Sequence, residues 1–322
     1  MLPGVVARGG ARKPSLKKDT CSPPASTEAV GGQLTLPHLL PLGGASRSGC
    51  DKEALQLDLS PEHSDEEEGD EQQGSEGISR DDFEVIELLG QGGFGEVKLV
   101  RCTRDEQLYA MKAVEKATLH ERRFIGDEDA GRRAQTERDI GVSAGEWKCP
   151  FIIQLCAAFQ THEKLYYVFE YCPRGDLYEL LMAQPDKQFD EPTVRFFIAE
   201  VCLALGHLHA NDTIHRDVKL ENMLIAADGH VKLADFGIAK TGLSSAGARP
   251  SYAFGAGNVL ILFPPEFQRG EVYGKDLDCW QLGVATFLML AGRFPQIADG
   301  QLSAPPRGAS QAAGGFCHSL LQ

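Results

Sequence analysis

No run of eighteen apolar residues occurs in the 322-residue sequence, and its first residues lack the continuous apolar core of an export signal. A membrane span and a secretory route are therefore not expected. The nine cysteines include no CxxC pair and are odd in number, so neither a disulfide framework nor a zinc site is suggested, and a reducing, cytoplasmic setting is the expectation. Cationic charge is scarce: 32 Lys and Arg stand against 46 Asp and Glu, for a formal net charge of −14. A surface built chiefly for a polyanion is not expected and no nucleic-acid partner is assigned, although basic peptide segments would be attracted. What is present is an ordinary globular mixture, 42% hydrophobic and 24% charged, with length for one large domain or two small ones.

Residues 1–80 are rich in Gly, Pro and Ser and poor in large apolar side chains, a composition that cannot offset the entropy of folding. They are expected to be a disordered tail. Its start is basic (Arg8, Arg12, Lys13, Lys17, Lys18) with no acid in the first eighteen residues, as in organellar transit peptides, and its end is acidic, from Asp65 to Glu71. We read it as a charge-segregated linker.

Ordered sequence begins near Asp81. Phe83, Val85, Leu88 and Leu89 lead into Gly90, Gln91, Gly92, Gly93, Phe94 and Gly95, and alternation resumes at Val97, Leu99 and Tyr109–Val114. The glycine segment therefore joins two strands as a hairpin. A dinucleotide-binding GxGxxG should open a helix and be followed by an acid about twenty residues on. Here a strand follows, and the next marked residue is Lys112. Asp190 is placed to cap a helix with Pro192 in its first turn and an apolar stripe at Phe197, Val201, Leu205 and Leu208. Residues 279–291 are apolar almost all round, which predicts a helix buried inside a large lobe. Beyond Pro295 the sequence turns to Ala, Gly, Ser and Gln without periodicity, and residues 296–322 are expected to be an unstructured tail.

The helix with the Phe197 stripe delivers the chain to His215-Arg216-Asp217-Val218-Lys219-Leu220-Glu221-Asn222, with Asp235-Phe236-Gly237 shortly after. Two carboxylates, an amine and an amide within about twenty residues are the groups needed to hold a metal-bound triphosphate against a hydroxyl. A hard cation such as Mg2+ would take the oxygens of Asn222 and Asp235. Asp217 would accept the hydroxyl proton.

This HRDxKxxN and DFG pair closely resembles the catalytic and metal-binding loops of eukaryotic protein kinases, and the Lys at its fifth position resembles the serine/threonine branch. The resemblance covers residues 83–295 and extends to an AGC-like group. It implies an α+β bilobal fold, with a small antiparallel β-sheet N-lobe plus a helix at 81–170 and a mainly α-helical, truncated C-lobe at 171–295. Its implied reactants are ATP, Mg2+ and protein substrates, and an upstream activating kinase is an implied partner. The glycine loop would bring backbone amides to the phosphates, with Phe94 as a lid. Tyr109-Ala110-Met111-Lys112 resembles the lysine strand whose amine holds the α and β phosphates, against the plain reading of an edge-strand lysine. Thr136-Glu137-Arg138-Asp139-Ile140 resembles the segment whose acid orients that lysine, making Glu137 the candidate and Glu128 and Asp129 its competitors. Phe169–Asp176 resembles the hinge, with Phe169 as gatekeeper, Glu170 to Cys172 facing adenine and Asp176 near the ribose. Leu89, Val97, Ala110 and Leu224 complete the implied nucleotide contacts. Lys219 would neutralise charge on the transferring group. Arg216 marks relatives whose activation loop is ordered by a phosphate. Asp176 and Glu221 resemble an acidic pair that reads arginines upstream of the phosphoacceptor, although a third acid found in arginine-directed relatives falls near Leu288. Asp278-Cys279-Trp280-Gln281-Leu282-Gly283 resembles DxWxxG, whose aspartate anchors the catalytic loop.

Departures from the pattern cluster late in the chain. Pro264-Pro265-Glu266 replaces APE, and the expected preceding threonine is Val259. Ser251 is the candidate phosphoacceptor. Gly141 stands where an aliphatic side chain would stack with Leu155, Phe236 and His215. Loss of a buried leucine-sized side chain costs about 2 to 5 kcal/mol and glycine inside a helix about 1 more, so the active arrangement is expected to need a partner or the helix to end early. The segment after Pro295 is expected to leave Glu266 without its arginine partner and part of the lobe uncovered. We read this change, and that between Thr241 and Leu262, as the mark of an alternative transcript or an imperfect gene model. The expectation is a serine/threonine protein kinase; the alternative is a nucleotide-binding scaffold without turnover.

Overall fold

The computed structural model describes residues 77–92, 95–119, 130–242, 260–298 and 300–322. Phe94, Gly93, Glu128, Asp129, Ser251, Val259 and residues 1–76 of the predicted tail 1–80 lie outside the described residues.

Five strands form one antiparallel sheet in the order β1-β2-β3-β5-β4: β1 is Phe83–Gly92, β2 Gly95–Cys102, β3 Leu108–Glu115, β4 Leu155–Gln160 and β5 Lys164–Glu170. The predicted hairpin is present, closed by the pair Gly92 and Gly95. Gly95 has φ 143, and a Cβ there would lie 2.0 Å from the carbonyl oxygen of Ala113. That position needs glycine because β3 passes against it, a reason separate from phosphate access.

Alternation on β5 decides which face each residue serves. Leu165 and Tyr167 pack with Val114, Leu119, Ala134 and Ala158 on the face covered by α1, which spans Ala130–Trp147. Tyr166 and Val168 turn the other way, to Phe83, Val100, Met111 and Phe159. Tyr167 Oη also donates to Ala134 O at 3.0 Å, tying α1 to the sheet. The buried stripe of α1 runs through Ala134, Glu137, Ile140 and Ala144, helical spacing with one carboxylate among small apolar groups.

The second lobe is helical: α2 Leu177–Met182, α3 Glu191–Ala210, α4 Pro265–Gln268, α5 Asp276–Ala291 and α6 Gln311–Leu320. Asp190 caps α3 by accepting the Thr193 amide at 3.0 Å, and Phe197, Val201, Leu205 and Leu208 are buried as the stripe predicts. By length and composition α3 could cross a membrane, but that stripe packs into this lobe's core. α5 is buried from Trp280 to Leu290. Two short strands, β6 Met223–Ile225 and β7 Val231–Leu233, form a hairpin after the catalytic loop.

The expectation for residues 296–322 is corrected. They form a two-residue hairpin, β8 Ile297–Ala298 with β9 Gln301–Leu302, and then α6. Ser310 caps α6 through the Ala313 amide, while its hydroxyl and amide both donate to Glu191 on α3. Cys317 and Leu321 are 0% exposed. Gly283 on α5 allows this close approach, since a Cβ there would lie 2.8 Å from Leu320 Cβ. The segment thus covers part of the α5 surface expected to lie open. Its helix includes Gly314 and Gly315, so packing, with little help from propensity, holds it.

Gly141 is the second correction. A Cβ at this position would meet Leu155 Cβ at 2.8 Å and Cδ2 at 3.1 Å. The helix does not end early but runs on to Trp147, and Leu155 of β4 packs directly against Gly141.

Candidate active site

Two ladders position the first part of the site. Val97 pairs across the sheet with Lys112, and Ala110 pairs with Leu99 on one side and Phe169 on the other. Gly90 and Gln91 pair with Val97 and Glu96, and Leu89 lies at the irregularity between Leu88 and Gly90. The predicted nucleotide residues of β1 to β3 therefore lie on adjoining rungs. Lys112 Nζ lies 2.6 Å from Glu137 Oε1 and 3.3 Å from Asp235 Oδ1. Glu137, 4% exposed on α1, is thus the nearer of the two acids paired with the lysine.

Burial opposes the Lys112 charge, but the carboxylates of Asp235 and Glu137 outweigh it and raise the amine's pKa. Lys112 in turn holds the Asp235 carboxyl below its ordinary value, against the effect of burial. Burial pushes the Glu137 carboxyl up against the pull of Lys112. Asp235 has φ 61, a left-handed backbone for a non-glycine residue. Phe236 behind it is 1% exposed, with its ring 5.0 Å from that of His215, whose Nε2 lies 3.0 Å from Ala234 O.

The catalytic loop follows α3. Lys219 Nζ is 2.8 Å from Asp217 Oδ2, and Asn222 Nδ2 donates to Asp217 O at 2.8 Å and to Oδ2 at 2.9 Å. Burial opposes the Lys219 charge, yet Asp217 raises its pKa overall. From below, Asp278 accepts the amides of His215 at 2.9 Å and Arg216 at 2.8 Å, as the DxWxxG resemblance implies, and it also meets His209 Nε2 at 2.7 Å. Arg216, at φ 70, donates Nη1 to Tyr273 Oη at 2.9 Å, a partner that sequence reasoning missed. Two carbonyls, Ile238 O and Ala239 O, take further donors from it.

On the hinge side, Asp176 bridges to Leu224 and caps α2 by accepting the Glu179 amide at 2.8 Å. Cys172 is buried, and burial followed by the Glu170 charge pushes its thiol up to about 12. The Glu170 carboxylate points away from any base-reading role: its Oε1 takes the Gln154 amide and Lys232 Nζ, both at 2.9 Å. Leu288 is a buried core residue, and Glu221 is exposed. Arg269 lies within electrostatic reach of Glu266, although its guanidinium pairs with Glu271 at 2.6 Å.

Among the described residues no cluster of three His, Cys, Asp or Glu could hold a metal. The donor set fits instead a hard cation that shares its shell with phosphate oxygens. Asp235 would offer such an ion its carboxylate, and Asn222, whose amide nitrogen is spent on Asp217, would offer its carbonyl oxygen. Gly237 keeps the space beside Asp235 and Lys112 clear: a Cβ there would lie 3.1 Å from Asp235 Oδ1 and 3.6 Å from Lys112 Nζ.

A two-lobed α+β fold with this lysine–acid–DFG linkage defines a protein kinase. The protein kinase domain matches residues 83–306, and the chain belongs to that family. Protein kinase C zeta type of Oryctolagus cuniculus is 40% identical over 221 residues, covering 69% of this chain and 35% of that protein. Atypical protein kinase C of Drosophila melanogaster is 36% identical over 217 residues, 67% of this chain and 34% of that protein. Protein kinase C epsilon type of Oryctolagus cuniculus is 36% identical over 236 residues, 73% of this chain and 30% of that protein. The chain thus spans about a third of the length of these relatives. These likenesses support the eukaryotic serine/threonine branch and its AGC group.

Proposed function

We propose that this chain transfers the γ-phosphoryl group of ATP to Ser or Thr hydroxyls of protein substrates. The observation that carries the reading is the continuous linkage Glu137–Lys112–Asp235 beside the Asp217–Lys219–Asn222 group. The sheet supplies phosphate binding, and the loop supplies the base. Lys112 would hold the α and β phosphates, and Leu89, Gly90, Gln91, Gly92, Gly95, Val97, Ala110, Asp176, Leu224 and the Glu170–Cys172 backbone would enclose the nucleotide. Asp217 would orient the hydroxyl and take its proton, while Lys219 would pass from Asp217 to the transferring oxygens. Asn222 and Asp235 would hold magnesium, which when bound neutralises phosphate charge.

The same reading includes a preference for basic segments upstream of the acceptor, supported by Asp176, the exposed Glu221 and the net charge of −14. Regulation by an upstream kinase at Ser251, and a cytoplasmic setting, belong to it as well. The test is labelled-phosphate transfer from ATP to serine peptides with and without upstream arginines, in magnesium and after chelation. Transfer that needs magnesium and favours the arginine peptides is expected; no transfer to any peptide in magnesium would sink the reading.

A further inference from the structure

The backbone around Asp217 belongs to no helix or sheet, and Arg216 is held at φ 70. Side chains therefore have to fix it. Asp278 takes the Arg216 amide, His215 Nδ1 takes the Asp217 amide at 3.2 Å, and Asn222 donates to the Asp217 carbonyl. Two polar groups remain on the peptide units that flank Asp217, the carbonyl of Arg216 and the amide of Val218. A single side chain meets both: Gln281 Nε2 donates to Arg216 O at 2.9 Å, and its Oε1 accepts from Val218 N at 2.9 Å. Gln281 is 1% exposed and sits one helical turn beyond Asp278 on α5.

We propose that Gln281 is a positioning residue for Asp217. Its carboxamide bridges the peptide units before and after the base and fixes the direction in which that carboxylate leaves the loop. The site asks for one donor and one acceptor at once. An ionised carboxylate offers no donor, and a thioether of equal length offers no donor and only a weak acceptor. Asp278 alone secures the loop up to Arg216; Gln281 carries that support across the base.

The effect on turnover rests on the proposed phosphoryl transfer, so the experiment on the full chain has two readouts. The first is hydrogen exchange at the Val218 amide, followed by NMR in wild type, Gln281→Met and Gln281→Glu. The second is kcat and KM for MgATP on a serine peptide. In Gln281→Met we expect Val218 exchange at least about tenfold faster, and kcat lower by about 10- to 100-fold with KM for MgATP within about threefold. In Gln281→Glu we expect Val218 to stay protected while kcat falls.

Wild-type exchange and kcat in Gln281→Met would show that only the side-chain volume matters and overturn the proposal. So would a parallel loss of kcat, nucleotide affinity and melting temperature, the mark of a general brace. If Gln281→Met fails to fold, Gln281→Glu decides when read above the pH at which its carboxyl ionises, because full kcat in the ionised form would equally overturn the proposal. If the wild-type chain shows no turnover, the functional reading fails by itself, and Val218 exchange still tests Gln281.

Discussion

Replacing Gly141 by alanine sets two effects of similar size against each other. Glycine inside a helix costs about 1 kcal/mol relative to alanine, so in open space Gly141→Ala would stabilise α1 by that amount. The added Cβ, however, would lie 2.8 Å from Leu155 Cβ and 3.1 Å from its Cδ2. The nearer atom is fixed to the β4 backbone and cannot rotate away, so helix and strand must separate. Overpacking of this kind costs about 1 to 3 kcal/mol. The net expectation is a loss of about 0 to 2 kcal/mol, read in thermal denaturation as a fall of up to about 8 °C at about 2 to 4 °C per kcal/mol. Glu137 lies one turn earlier on α1, so the same displacement should lengthen its contact with Lys112 and raise KM for MgATP. A double-mutant cycle isolates the contact. In a Leu155→Gly background the steric cost is gone, and Gly141→Ala should become stabilising by about 1 kcal/mol. Equal stabilisation in both backgrounds would refute the close packing.

Leu321→Ala should destabilise the chain by about 2 to 5 kcal/mol, measured by urea denaturation; an unchanged midpoint would mean that α6 does not cover α5. The acid limb of Asp235 should move when its partner is removed. Its carboxyl is held below 3.8 by Lys112, so the charge is kept at pH values above that and lost only as pH falls through the lowered value. In Lys112→Met the largest lowering cause is gone while the Gly237 amide and His215 remain, and an NMR titration should show the Asp235 midpoint rising from its wild-type value; an unmoved midpoint would contradict the pairing. Cys172, with its thiol pushed up to about 12, holds a thiolate fraction of about 10⁻⁴ to 10⁻⁵ at pH 7.5. Alkylation mapping should find it unmodified at that pH, and rapid labelling would refute its burial.

The parts of this molecule that were legible in the sequence are those whose chemistry demands a fixed local order. Asp217, Lys219 and Asn222 share one loop, and their spacing alone brings them within hydrogen-bond reach. The Phe197 stripe and the Asp190 cap are likewise local. Glu137 was harder: its segment is densely charged, and only burial of that one carboxylate against Lys112 separates it from its neighbours. α6 was not legible because its two adjacent glycines offset the helical preference of its alanines and no apolar periodicity marks it; burial of Cys317 and Leu321 against α5 supplies what propensity lacks. Gly141 could be seen as a missing side chain, but not as a point where β4 closes in. Gln281 and Tyr273 bear no local signal, since a buried amide or phenol finds its partner only in three dimensions.

The central claim is that Asp217 serves as the base for phosphoryl transfer. It is tested most directly by comparing kcat of the wild-type chain and Asp217→Asn with MgATP and a serine peptide, with nucleotide affinity measured in parallel. The account predicts a fall in kcat of about 10² to 10⁴ with nucleotide affinity retained. Equal kcat in the two proteins would contradict it.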